Sequence, residues 1–182
     1  MFEIPLHPVA VHFPIVLGLL IPIASLSVFI LIKLKYLDPR IWLLVVILSG
    51  LFFASAVVAV QTGEKDEHKV EEVVGHKVLE THEEHGEKIQ WLALAVFLIS
   101  ITPLLLKKPT ELQILTVIIS SIVVYPLIET GHTGGELIYK HGAAEAHMIE
   151  EIEEDCSEQL EPGGSCSKIL EDSSNQNLDD DL

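Results

Sequence analysis

Residues 9–32 read VAVHFPIVLGLLIPIASLSVFILI, twenty-four positions without Asp, Glu, Lys or Arg. A hydrocarbon core of roughly 30 Å takes about 20 helical residues to cross, with about 17 as the lower limit. The stretch is therefore long enough for one crossing, and three more like it follow at 41–60, 89–106 and 112–128. The chain of 182 residues is 49% apolar, yet its formal charge is −16, from Lys+Arg 11 against Asp+Glu 27. The two facts are compatible because charge and apolar surface are segregated. Nine acids fall in 61–89 and fourteen in 136–182, leaving only Glu3, Asp38, Glu111 and Glu129 elsewhere. This pattern excludes an ordinary soluble globule. The absence of a basic surface also excludes a nucleic-acid binder, which must neutralise phosphate.

In lipid a backbone must satisfy its own hydrogen bonds, so apolar runs of this length cross as helices. The expected fold class is all-α: a four-helix transmembrane bundle over 1–150, with a His/Glu-rich helical loop outside and an acidic, partly disordered tail over 151–182. A cleaved secretory leader is not expected, since no basic stretch precedes the first run. Lys33, Lys35 and Arg40 crowd one short connection and Lys107 and Lys108 the other, whereas only Lys65 and Lys88 lie close to span ends on the opposite side. The excess of positive charge places the short connections in the cytoplasm and both termini outside, in a cell membrane. Within the spans, Pro22 is expected to kink the first helix, and Pro14 can serve as a first helical residue. Ser49, Gly50, Ala54, Ser55 and Ala56 offer a small-residue face for close helix packing. Trp42 and Trp91 are placed as interfacial anchors.

All nine histidines fall on the same expected side. A short internal repeat runs from a His pair through a span, a basic turn and a second span to Thr-Gly. It matches His7/His12 and Thr62-Gly63 with His82/His85 and Thr130-Gly131. In the outer loop, an unbroken helix over 64–85 would set His68, Glu72 and His76 in one stripe. That stripe is either a solvated face or a zinc or copper site, and Gly75 is its weak point. Residues 136–152 fit an amphipathic helix with Leu137, His141, Ala144, Met148 and Ile152 on its apolar stripe. Beyond about residue 157 the composition is that of a disordered acidic segment, in which Cys156 and Cys166 can pair as a disulfide on the outer side. No CxxCH sequence is present for covalent haem attachment.

Two segments are more specific than their composition: His7-Pro8-Val9-Ala10-Val11-His12-Phe13-Pro14 before the first span, and Gly131-His132-Thr133-Gly134-Gly135-Glu136-Leu137-Ile138-Tyr139-Lys140-His141-Gly142 after the fourth. With four spans and a histidine before the third, they resemble the membrane family called domain of unknown function 2231, over about residues 5–142. Some members of that family are fused to Rieske iron–sulfur or cytochrome c domains, so the resemblance implies a respiratory redox partner. By position it marks His7, His12, His85 and His141, with His85 taken over His82. The acidic tail and the extra loop histidines depart from the family pattern.

Several imidazoles at the ends of different spans, over an apolar four-helix slot, suit a b-type haem held by two of His7, His12, His85 and His141. The leading expectation is therefore a membrane electron-transfer subunit. The alternatives are a zinc or copper site, a pH sensor working through imidazole titration, and a structural anchor for a redox partner. No hydrolase, kinase or metalloprotease motif is present, so no catalytic residue is expected.

Overall fold

A computed structural model describes residues 6–106 and 109–144. The described residues form a bundle of helices: α1 (Leu6–Ala10), α2 (His12–Lys33), α3 (Leu43–Val74), α4 (His76–Leu105) and α5 (Pro109–Tyr139), with a 3-10 turn at Pro39–Trp42. Four helices, Leu6–Lys33, Pro39–Glu67, His76–Leu105 and Pro109–Tyr139, are long and apolar enough to cross a membrane. Each of α2 to α5 packs on the next, and α5 closes the ring against α2. The two basic turns meet at one end, where the Lys33 ammonium donates to Thr110 Oγ1 at 2.9 Å. The histidines for which side chains are described lie at or beyond the other end.

The centre is apolar and closely packed: Ile21, Phe52, Ala56, Ile89, Ala93, Val96, Val123 and Leu127. Lipid tails are as apolar as these residues, so contact quality rather than water exclusion holds such helices together. Gly18 is buried where any side chain would strike Leu127 and Phe52. Each of the four long helices buries one serine, Ser25, Ser49, Ser100 and Ser120. Their hydroxyls donate to carbonyls three or four residues back, so none is left unpaired. Pro22, Pro103 and Pro126 sit inside helices. Pro103 cannot donate to the carbonyl of Ile99, and the Thr102 hydroxyl takes that acceptor at 2.7 Å.

The two halves are built alike. All the buried residues of α2, namely Pro14, Gly18, Ile21, Ser25 and Val28, are followed 75 positions later by buried residues of α4: Ile89, Ala93, Val96, Ser100 and Pro103. From Trp42, Val45, Ser49, Phe52 and Ala56, the buried equivalents Gln113, Thr116, Ser120, Val123 and Leu127 lie 71 positions on. Hairpin α2–α3 and hairpin α4–α5 are thus related by an approximate two-fold axis along the bundle. The repeat register is not the one expected from Thr-Gly matching, because Thr62-Gly63 corresponds to Thr133-Gly134.

Several local expectations are corrected. Trp42 is fully buried, not interfacial, with its indole N–H donating to Ser100 O at 2.9 Å; Trp91 is 64% exposed. Pro14 is the third residue of α2, since helix already forms upstream at Leu6. The small-residue face divides: Ser49 and Ala56 are buried, Gly50 receives the Phe97 ring, and Ala54 and Ser55 line a groove. Residues 64–85 are not one helix. Gly75, at φ 83°, breaks them into the end of α3 and the start of α4, so His68 and Glu72 stand on one helix and His76 on the next. The side chains of His68 and Glu72 lie outside the described residues, as do Cys156, Cys166 and the rest of the tail. Residues 136–139 continue α5 rather than start a new helix, and the chain turns at Gly142, at φ 69°. Leu137 and Ala143 then pack on Leu79, which leaves His141 exposed.

Candidate functional site

Three imidazoles, His7, His82 and His85, gather where the helices rise beyond the charge-free segments, and His12 lies within the first of those segments. His7 on α1 has Nδ1 2.8 Å from the carbonyl of Ala59 on α3. A carbonyl only accepts, so Nδ1 carries the proton. His82 on α4 has Nδ1 3.0 Å from Thr133 Oγ1 on α5. That hydroxyl spends its own proton on Thr130 O, so His82 Nδ1 is again the donor. His12 donates to Pro8 O at 2.7 Å and His85 to Thr81 O at 2.6 Å, each one turn back. The same tautomer is fixed four times, and every Nε2 keeps its lone pair while the ring is neutral. This second-nitrogen anchoring is how proteins orient metal-binding imidazoles.

His7 and His82 are equivalent residues of the two repeats and face each other at the approximate axis. Their ring centroids are 6.2 Å apart and the ring planes are at 89°. Each ring lies on a glycine of the flanking helix: a Cβ on Gly63 would sit 3.1 Å from His7, and one on Gly134 would sit 3.0 Å from His82. His82 stands seven residues before the charge-free segment begins at Ile89, with Glu83, Glu84, Glu87 and Lys88 between, and so lies beyond the hydrocarbon. Burial, reinforced by His7 and His85, lowers its pKa from 6.5 to about 4, so it is neutral at physiological pH.

The other candidates take different positions. His85 has Nε2 4.0 Å from Glu129 Oε1, one turn from His82. His12 lines the groove between α2 and α3. His76 pairs with Glu71 at 2.9 Å. His132 contacts Glu136 at 3.4 Å, and Lys140 pairs with the same carboxylate. Among the described residues, no three His, Cys, Asp or Glu side chains converge tightly enough to hold an ion by themselves.

A family described as "Predicted membrane protein (DUF2231)" matches residues 3–147. The chain belongs to this family. The DUF2231 match takes in all four long helices and the four anchored imidazoles. No curated protein and no solved structure matches the chain. Of the residues that the resemblance marks in this DUF2231 chain, His7 reaches the axis and meets His82 rather than His85. The 75-residue repeat is the signal that singles His82 out.

Proposed function

We propose that the chain is a membrane electron-transfer subunit in which His7 and His82 would hold a b-type haem, on the outer side of a cell membrane. The observation that carries this is the His7–His82 ring pair with both Nδ1 protons spent. Two Nε2 atoms, each about 2 Å from a shared metal, would keep the ring centroids about 6 Å apart, close to the 6.2 Å observed. A zinc site wants three or four protein ligands, whereas an iron held in a macrocycle takes two. On α5, Gly131 and Gly135 have no neighbour within 4 Å of a Cβ, whereas Gly63 and Gly134 are covered by the rings themselves. Bound there, haem would supply one-electron redox chemistry. The chain's part is to anchor the imidazoles, hold His82 neutral and shield both rings with packed helices, and the redox partner would be of the Rieske or cytochrome c class.

The test is the visible spectrum of gently purified protein from haem-replete cells, oxidised and then reduced with dithionite. A Soret band that shifts on reduction is expected, lost in His7→Ala and His82→Ala and retained in His68→Ala. Colourless protein sinks the reading, and copper or zinc in elemental analysis would replace haem with a bare ion. For sidedness, an impermeant maleimide added outside should label Cys156 or Cys166 after reduction. Labelling only after the inner face is opened reverses the orientation.

A further inference from the structure

The end of the bundle opposite the histidines carries charge that the fold does not neutralise. Its two short connections hold Lys33, Lys35, Arg40, Lys107 and Lys108 against only Asp38 and Glu111. At the histidine end, Lys88 and Lys140 pair with Glu84 and Glu136. At the basic end the Lys33 ammonium rests instead on a neutral hydroxyl, Thr110 Oγ1, and near the Phe29 ring. Among the described residues, neither Lys33 nor the exposed Lys35 and Arg40 side chains pair with a carboxylate.

The orienting role of basic turns accounts for these charges, but not for two features beside them. Gln113 lies one turn after Thr110 on the same face of α5. It is 4% exposed, and its amide makes no hydrogen bond among the described residues. Every side-chain nitrogen or oxygen that is fully sealed there has a partner, so the polar atoms of this amide keep an opening. A helical side chain leans toward the N-terminus of its helix, which turns the amide toward Thr110 and the Lys33 ammonium. The second feature is Lys35, at φ 62° the only described non-glycine residue with positive φ. It closes α2 in a Schellman turn, with Tyr36 N–H donating to Leu31 O at 2.9 Å and Lys35 N–H to Ile32 O at 3.0 Å. Glycine or asparagine ordinarily takes that place. Here the backbone carries strain and displays a cation.

The donors lie at two depths. Lys33 is the first residue past segment 9–32, whereas Gln113 falls inside segment 112–128, about 4.5 Å deeper than Thr110 at 1.5 Å per residue. A phospholipid presents acceptors at two such levels, its phosphate outermost and its glycerol-ester carbonyls nearer the acyl chains. Inorganic phosphate presents only the first. We propose that the basic end binds an anionic phospholipid, with the phosphate on Lys33 and Lys35 and an ester carbonyl accepting from the Gln113 amide. Arg40 adds to the positive field that favours a net negative headgroup. The proposal stands apart from the haem reading and from which face of the membrane is the inner one.

The test is native mass spectrometry of the full chain, released from detergent containing equimolar dioleoylphosphatidylglycerol and dioleoylphosphatidylcholine. One retained phosphatidylglycerol, preferred at least fivefold, is expected. Gln113→Leu leaves every charge in place, so it separates a built site from diffuse attraction; Lys35→Gly removes a charge and relieves the backbone. Each should cut the preference at least threefold, and each should unfold no earlier than the parent in phosphatidylcholine nanodiscs, so that lost binding is not lost folding. Lys88→Gln, at the other end, should change nothing. Soluble dihexanoylphosphatidylglycerol should displace the retained lipid, and inorganic phosphate at the same concentration should not. Equal retention of the two lipids, an unchanged preference in either variant, or displacement by inorganic phosphate would overturn the proposal.

Discussion

His82 shows how much of the site turns on single atoms. Its ring rests on Gly134 so closely that a Cβ there would sit only 3.0 Å from it, while the next residue, Gly135, faces open space. Gly134→Ala and Gly63→Ala should push the two rings off the axis, cost about 1–3 kcal/mol in overpacking and release any bound chromophore. Gly135→Ala should be neutral, or stabilising by up to about 1 kcal/mol through helix propensity. Thermal unfolding of the three variants, followed together with their absorption, separates the cases. The lowered pKa of His82 also sets a pH dependence for the chromophore-free chain. Its neutral form is favoured by the fold and the unfolded chain binds the extra proton, so its contribution is fully present above pH 6.5 and is lost as pH falls toward about 4. His7 and His85 are the charges it would meet. Unfolding midpoints from pH 7.5 to 4 should fall over that window, and His82→Gln should flatten the slope.

Helices were the legible part of this protein. Four runs without a charge are long enough to cross and leave the backbone no other way to satisfy itself, and they appear as α2 to α5. Their rotation was not legible. Whether His82 or His85 faces the axis depends on the packing of Ile89, Ala93 and Val96 further down α4, and residues three apart on one helix compete for the same place. Trp42 was misread for a related reason: an indole at a span end suits the interface, but the 3-10 turn tucks it against α4, where Ser100 O accepts its N–H. Trp42→Phe should cost about 1 kcal/mol for the lost hydrogen bond, together with some packing. Gly75 was rightly seen as weak, though its effect is a full break. At φ 83° and ψ 142° the position excludes a Cβ, so Gly75→Ala should destabilise the α3–α4 connection by about 1–3 kcal/mol. Faster proteolysis near residue 75 would report it.

At the scale of the whole molecule, the described residues form two like hairpins in one polypeptide. The interfaces α3–α4 and α5–α2 hold them together independently of the link at Gly75. A protease site inserted there and cut in the purified protein should leave the halves co-eluting in detergent with an unchanged absorption spectrum. Separation on cutting would show that the link, rather than the packing, joins them.

The height of the His7–His82 pair has one more consequence. His7, Gly63, Gly134 and His82 lie two to seven residues beyond the charge-free segments, or roughly 3–10 Å past the hydrocarbon at 1.5 Å per residue. A voltage across a membrane drops mainly over its insulating slab, where one elementary charge is worth about 2.3 kcal/mol per 100 mV. On the haem reading proposed above, an electron arriving at or leaving this pair from its own side would cross almost none of that drop. Turnover at the pair should therefore be indifferent to membrane polarisation, and by itself it would neither charge the membrane nor draw on its potential.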